Sequence, residues 1–491
     1  MKRSPWPRKI CVAAVTAALL LFTISCAVPL APGYQILKQT FEVQFVPGTT
    51  PELRIHNAYT LQNSGTTPLT FIDVVFPDAK TYGRSNLQVQ LDGRVTTPQN
   101  LPEEYEVGSP GALRLPFGSP WAQKEKRELV VDYTLAPAAR ADAQAAEGFH
   151  LGTRGWLPVF LPPNHILASA PTRPPTMSYT VKVPGTFVIV ARGSAAGRKQ
   201  DGSDTIYQFK LGQDDLAPYV VAGRYLSSAP PKNSGDAVFW TTQPLPANAA
   251  ATQQRFATAW SVLQKNFGQL NKRASAPFIV ESPAISFETA DPASGNFRSF
   301  PGGVFVTPAA LVSSTGSRDP LERSERALAR TWFGDALYPA PTATVVVEEG
   351  LPGYATIVID DSIDGPSARR SDVVALLQVY DDAHGQLKVT EKSVAATLPA
   401  ASLEQRRIAY AKAPLLFIAL EDSCGGASVR QGIADSIQLL RGKEVSINDL
   451  RAAIEYTCGK SLAEPFRAWL YNPGIPPEFR AHYGPAEGNK N

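Results

Sequence analysis

Histidine is scarce in this chain. Five occur in 491 residues, His56, His150, His165, His384 and His482, and none stands within four residues of another. A single helix therefore cannot aim two imidazoles at one ion, which removes the usual way a helix builds a zinc site. Charge of one sign is also lacking. Forty-seven Lys and Arg against 44 Asp and Glu leave a formal charge of +3. So small an excess gives neither the basic footprint of a nucleic-acid binder nor a strongly charged substrate channel. Beyond residue 24 no apolar run is long enough to cross a bilayer. Cysteine is limited to four: Cys11, Cys26, Cys424 and Cys458.

The first 27 residues read as a signal peptide. Lys2, Arg3, Arg8 and Lys9 precede an apolar stretch from Ile10 to Ile24, interrupted by Thr16 and Thr23, that is short for a membrane span. Ser25-Cys26 at its end suggests a bacterial lipobox with Cys26 lipidated after cleavage, although Thr23 sits where Leu is usual; cleavage after Ala27 is the competing reading. Either way the mature chain is expected to be exported, to a cell envelope or beyond. Cys424 and Cys458 then form an even pair in an oxidising compartment, each near the end of a predicted helix. A disulfide between them is geometrically reasonable, and two buried thiols are the alternative.

Hydrophobic residues at 44% allow ordinary packed cores, while 43 prolines and 36 glycines point to many turns. Residues 34–226 read as a β domain. Phe41, Val43 and Phe45 alternate with Glu42 and Gln44, Leu87, Val89 and Leu91 with Gln88 and Gln90, and Asp92-Gly93 then turns the chain. Further strands are expected at 69–76, 128–135, 179–183 and 207–211, together an antiparallel β-sandwich or saddle. Residues 227–235, with Pro230-Pro231, read as a linker, and 236–480 as a second domain followed by a tail, 481–491. That domain opens with a strand at 238–242 and a helix carrying Phe256, Trp260, Leu263 and Phe267 before Gly268. Asp360, Asp361 and Asp364 lack the spacing of a calcium loop and read as a polar helix end. Ser446 to Asp449 and Ser461 to Glu464 read as capping boxes.

A helix expected over 319–333 carries Arg323, Arg326 and Arg330, which taken alone would be a solvated basic stripe. The residues downstream change that reading. Trp332-Phe333-Gly334, then Glu349-Gly350 and Tyr354, resemble the zinc-site segment of the gluzincin aminopeptidases, the alanyl aminopeptidase and leukotriene hydrolase family. In that family two His at i and i+4 hold zinc, a Glu beside the first His is the general base, and a third ligand, a Glu, lies on the next helix. Arg326 and Arg330 stand where the two His belong and Ala327 where the base belongs. Residues 331–348 separate Arg330 from Glu349, which places Glu349 on the third ligand position. Tyr410-Ala411-Lys412 resembles the family's Y-x-K-G helix, whose Tyr stabilises an oxyanion. Ser299 falls where a Glu anchors the substrate amine. Trp469 and Pro473-Gly474-Ile475-Pro476 resemble the family's closing W-x-x-x-P-G-x-P.

The resemblance implies an α+β chain: an N-terminal β-sandwich or saddle, then a thermolysin-like catalytic-type domain ending in a helical bundle. It also implies a lost reaction. Guanidinium has no lone pair for zinc and does not deprotonate, one carboxylate is not a zinc site, and Ala327 cannot take a proton. The expectation is an exported, lipid-anchored, catalytically inactive relative that binds a peptide or an envelope protein, without a cofactor and without nucleic acid, its binding residues being Glu349, Arg326, Arg330 and Ser299. The alternative is an active zinc metallo-aminopeptidase with non-standard ligands. The charge count offers a way to tolerate a missing ion. Zinc with one Glu carries a net single positive charge, and so do two Arg with one Glu, so Arg326 or Arg330 is expected to pair with Glu349.

Overall fold

The computed structural model describes residues 33–101, 111–136, 148–152, 155–161, 176–212, 218–228, 238–245, 249–270, 278–281, 285–286, 298–300, 303–306, 325–334, 336–396, 402–441 and 443–484. The signal segment with Cys26, most of the linker and the tail from 485 onward lie outside these residues.

Alternation of apolar and polar residues builds the first half, because successive strand side chains point to opposite faces. Gln35–Val46 buries Phe41, Val43 and Phe45 and exposes Glu42. It belongs to an eight-stranded sheet ordered Ser194–Asp201, Asp204–Leu211, Thr176–Pro184, Gln35–Val46, Glu52–Gln62, Lys126–Leu135, Ser85–Leu91, Arg94–Val95. The expected antiparallel pattern has one exception. Gln35–Val46 runs parallel to Thr176–Pro184, pairing Phe41 with Tyr179. Parallel neighbours need a long crossover, and here Glu52–Gln62, Ser85–Leu91, Arg94–Val95 and Lys126–Leu135 of the same sheet lie between the two strands in sequence. A second sheet, Val159–Leu161, Leu69–Val75, Ala112–Trp121 and Gln99–Asn100, packs Ile72, Val74, Leu115 and Trp121 into the same core as Phe41 and Val43.

The two halves are stitched by a strand. Ile285–Ser286 adds in parallel to Gly148–Leu151, completing a sheet that also holds Val220–Gly223 and Val188–Ala191. Val190, Tyr219, Val221 and Tyr225 share a core with Val280 and Phe305, and Tyr225 Oη donates to the carbonyl of Glu281 at 3.1 Å. The second half starts on a mixed sheet. Val238–Thr241, Phe278–Glu281 and Gly303–Val306 are parallel, with Leu226–Ser227 and Arg298–Phe300 antiparallel at its edges.

Helices then take over: α1 (Ala249–Phe267), α2 (Leu351–Asp364), α3 (Pro366–Gln386), α4 (Leu403–Cys424), α5 (Gly426–Leu440), α6 (Ile447–Cys458), α7 (Ala463–Leu470) and α8 (Pro477–Tyr483). Among the described residues no helix is long and apolar enough to cross a membrane. α1 buries Phe256, Trp260, Leu263 and Phe267 at helical spacing, and Gly268, at φ 83°, lets the chain leave it. α4 runs through the centre of the bundle and buries Ile408, Leu415, Leu416, Phe417 and Ile418. Ser446 and Asp449 form the capping box of α6, but α7 is capped by Leu462 with no side-chain bond, one residue past the Ser461 expected there. Of the motif helix expected over 319–333, residues 319–324 lie outside the described residues. The chain is helical at 325–329 and turns from Arg330 on, because Thr331 and Trp332 donate to the carbonyls of Leu328 and Ala329, tightening the turn, and Gly334 at φ 108° bends it away.

Cys424 closes α4 and Cys458 closes α6, and the two form a disulfide with Cα atoms 5.3 Å apart and a sequence separation of 34. Cross-linking a loop of that length removes unfolded-state entropy equivalent to about 4 kcal/mol. Reduction, or Cys424→Ser with Cys458→Ser, is expected to lower the melting temperature by about 8 °C or more; differential scanning calorimetry with and without reductant checks this, and equal midpoints contradict it.

Candidate active site

The segment 325–334 is wedged into the helical core by its apolar residues. Ala327, Leu328, Ala329, Trp332 and Phe333 are all buried. Trp332 meets Trp260 edge-on at 4.7 Å and donates from Nε1 to the carbonyl of Gly268 at 2.8 Å. Phe333 meets Phe267 at 5.2 Å. With the apolar face held this way, Arg326 and Arg330, one helical turn apart, project together. Opposite them the chain enters α2 through a π-turn, Val346–Gly350, that continues into the helix with Pro352 in its first turn.

Both arginines reach Glu349. Arg326 Nη2 donates to Glu349 Oε2 at 3.3 Å and to the Glu349 carbonyl at 2.8 Å. Arg330 Nη2 donates to Glu349 Oε1 at 2.5 Å, and its Nε to the Glu348 carbonyl at 3.2 Å. The side chains of Arg326, Arg330 and Glu349 are 7%, 18% and 22% exposed, so these ion pairs are only partly screened by water. The Arg326 guanidinium also lies 3.5 Å from the ring centroid of Tyr410 on α4. Space for it depends on Gly353. A Cβ there would come within 2.5 Å of Pro414 Cγ and 2.8 Å of Arg326 Nη1. Ala327 is 3% exposed, its methyl packed in the core. Ser299 sits in an edge strand opposite Val304, and its side chain lies outside the described residues.

A second charged hub adjoins the first, and sequence reading missed it. Arg255 of α1 bonds Glu325 (2.6 Å), Asp360 (2.6 Å) and Asp364 (3.0 Å). Glu325 and Asp360 are each 1% exposed. Asp360 is thus a buried ion-pair partner and not part of a solvated helix end; α2 passes to α3 through Gly365 alone. Burial, reinforced by the Asp360 charge, pushes the Glu325 carboxyl up to about 8. Farther along α4, fully buried Lys412 donates to Glu391 at 3.0 Å and to the Asn472 carbonyl at 2.6 Å. Glu391 also accepts from Tyr380 and from the N–H of Gly474, which ties the Pro473 to Pro476 turn to α4. Burial lowers the Lys412 pKa and Glu391 opposes that shift. Tyr354 donates to Glu421 at 2.5 Å, a carboxylate also held by Arg430 and Arg369.

No protein-family model and no curated protein matches the chain. Solved structures do. The M1 zinc metallopeptidase from Deinococcus radiodurans superposes with a TM-score of 0.59 at 17% identity, over 91% of this chain and 95% of that one. A mutant of it bound to a Tyr-Ser-Ala substrate gives 0.61 at 17% identity, over 91% and 96%. Yeast LTA4 hydrolase in complex with bestatin gives 0.61 at 15% identity, over 94% of this chain and 72% of that one. At these identities the likeness establishes the fold: an α+β chain with the architecture of the M1 zinc metallopeptidases and LTA4 hydrolase.

The neighbours are named zinc metallopeptidases, and the residues that the sequence resemblance sets at that family's ligand positions do not fit zinc. Of these three, Arg326 and Arg330 carry guanidiniums, which offer no lone pair. Both oxygens of the third, Glu349, already accept from those guanidiniums. Among the described residues no group of three or more His, Cys, Asp or Glu side chains is placed to hold a metal.

The Glu325 shift has a measurable consequence. Its folded pKa lies above its unfolded one, so the folded chain binds the extra proton between the ordinary carboxylate range and about 8. Stability conferred by that proton is complete below the unfolded pKa and is lost as pH rises through about 8. Urea midpoints measured from pH 5 to 9 are expected to fall across this window, and Glu325→Gln to flatten the fall; equal slopes in the two proteins contradict the assignment.

Proposed function

We propose that this chain, built on the fold of the M1 zinc metallopeptidases, is an exported, lipid-anchored, catalytically inactive aminopeptidase-like protein that acts by binding a peptide or an envelope partner. One observation carries the reading: Arg326 and Arg330, which the resemblance sets at the two imidazole positions, both contact the Glu349 carboxylate. Hydrolysis of an amide at neutral pH needs an activated water and a stabilised oxyanion. Ala327 offers no base, and the guanidiniums cannot lower the pKa of a bound water as a zinc ion does. Tyr410, whose counterpart in the resemblance serves the oxyanion, has its ring under the Arg326 guanidinium and is read as vestigial.

A zinc-free relative that keeps its fold is suited to holding a chain in place of cutting it. Support for export comes from the basic and apolar leader and from the Cys424–Cys458 disulfide, a bond that persists in oxidising compartments. The membrane attachment rests on Cys26, in a domain plan of leader 1–27, β domain 34–226, linker 227–235 and peptidase-like domain 236–480.

Metal analysis of the purified protein together with an aminoacyl-amide hydrolysis assay tests the reading. The expected result is substoichiometric zinc and no chelator-sensitive turnover. Stoichiometric zinc with turnover abolished by chelator overturns it in favour of an active zinc metallo-aminopeptidase with non-standard ligands. For the anchor, metabolic labelling with palmitate in a bacterial host is expected to mark the protein and Cys26→Ser to abolish the label; a secreted, unlabelled wild-type chain contradicts the anchor.

A further inference from the structure

We infer that the Arg326–Glu349–Arg330 cluster is an ionic cross-link standing where the family resemblance sets a zinc ion, and that it closes the site to divalent metals. The cluster joins three segments: the motif segment 325–334, the π-turn at 346–350 and, through the Tyr410 ring, α4. Its geometry is that of a receptor for one carboxylate. Each oxygen of Glu349 accepts from a different arginine, and the carbonyls of Glu348 and Glu349 each accept one further N–H hydrogen bond. The carbonyls that accept belong to the π-helical step Val346–Gly350, a rare conformation that recurs at functional sites.

The formal charge of the cluster equals that of a divalent ion with one carboxylate, so the surrounding field is kept while the ion is dispensed with. Space is matched as well. The Arg326 guanidinium fills the gap between Gly353, Pro414 and the Tyr410 ring, with the glycine hydrogen standing where any side chain would collide. A metal entering beside Glu349 would have to displace two guanidiniums from it. Among the described residues no group of His, Cys, Asp or Glu is placed to complete its coordination in return. None of this depends on whether the protein binds a partner.

The test has two arms. In the first, thermal melting of the full-length wild-type protein is measured with zinc chloride and with EDTA. Neither is expected to move the midpoint; a rise with zinc or a fall with EDTA overturns the closed site. In the second, Arg330→Met, Glu349→Gln and the double variant form a mutant cycle read by melting temperature. Glu349→Gln leaves two guanidiniums facing no carboxylate, and Arg330→Met leaves Glu349 with the longer Arg326 contact alone; each is expected to lower the midpoint by about 4 °C or more, with the double variant well short of the sum. Additive effects overturn the cross-link. Arg330→Lys, which keeps the charge and loses the fork, is expected to fall between wild type and Arg330→Met and guards against a variant that does not fold.

Discussion

One carboxylate organises the helical half of this molecule. Glu349 is partly buried, and a carboxylate drawn away from water needs either a proton, an ion or donors aimed at it. Here the donors are two guanidiniums presented by a single helical turn. The consequences spread from that pairing. Arg326 and Arg330 can be presented together only because the opposite side of their segment, Leu328, Trp332 and Phe333, is locked against α1 and the core. Glu349 is presented by the π-helical step through which the chain enters α2. α4 can lie close behind only because Gly353 has no side chain.

The adjacent Arg255 hub follows the same physics with the signs reversed. There a single guanidinium faces three carboxylates and one of them is pushed toward its protonated form; in the Glu349 cluster two guanidiniums face a single carboxylate. Glu325 and Arg326 are neighbours in sequence, so one helical turn feeds both hubs and ties α1, α2 and α4 together. Lys412 with Glu391, and Glu421 with its two arginines, repeat the pattern farther along α4. Such buried pairs are not strong sources of net stability, but removing one partner is expensive, which makes the arrangement specific.

Much of this was legible in the residues, and the gaps have physical causes. α1 announced itself through Phe256, Trp260, Leu263 and Phe267, and the strand around Phe41 through strict alternation. The pairing of Arg330 with Glu349 was readable because their separation matches the ligand spacing of the family the sequence resembles. Ser194–Asp201 was invisible as a strand: all eight residues are exposed, so no apolar alternation marks it. Ala112–Trp121 was obscured by Pro116, Gly118 and Pro120 within it. The parallel pairing of Gln35–Val46 with Thr176–Pro184 joins residues far apart in sequence, which local pattern does not encode. Asp360 looked solvated because its partner, Arg255, lies on another helix more than a hundred residues earlier. The need for Gly353 appears only once Arg326 and Pro414 are placed around it.

The β-rich half and the mixed sheet share the architecture of the M1 zinc metallopeptidases, and under the proposed function the Arg326–Glu349–Arg330 cluster stands in the place of their ion. Replacement of an ion by an internal ion pair is the claim on which the rest turns. Anomalous diffraction at the zinc edge, from crystals of the protein grown with zinc, tests it most directly. The account predicts no anomalous peak beside Glu349, with both guanidiniums still on its oxygens. A strong peak within bonding distance of the Glu349 carboxylate, with Arg326 and Arg330 swung away, would contradict it.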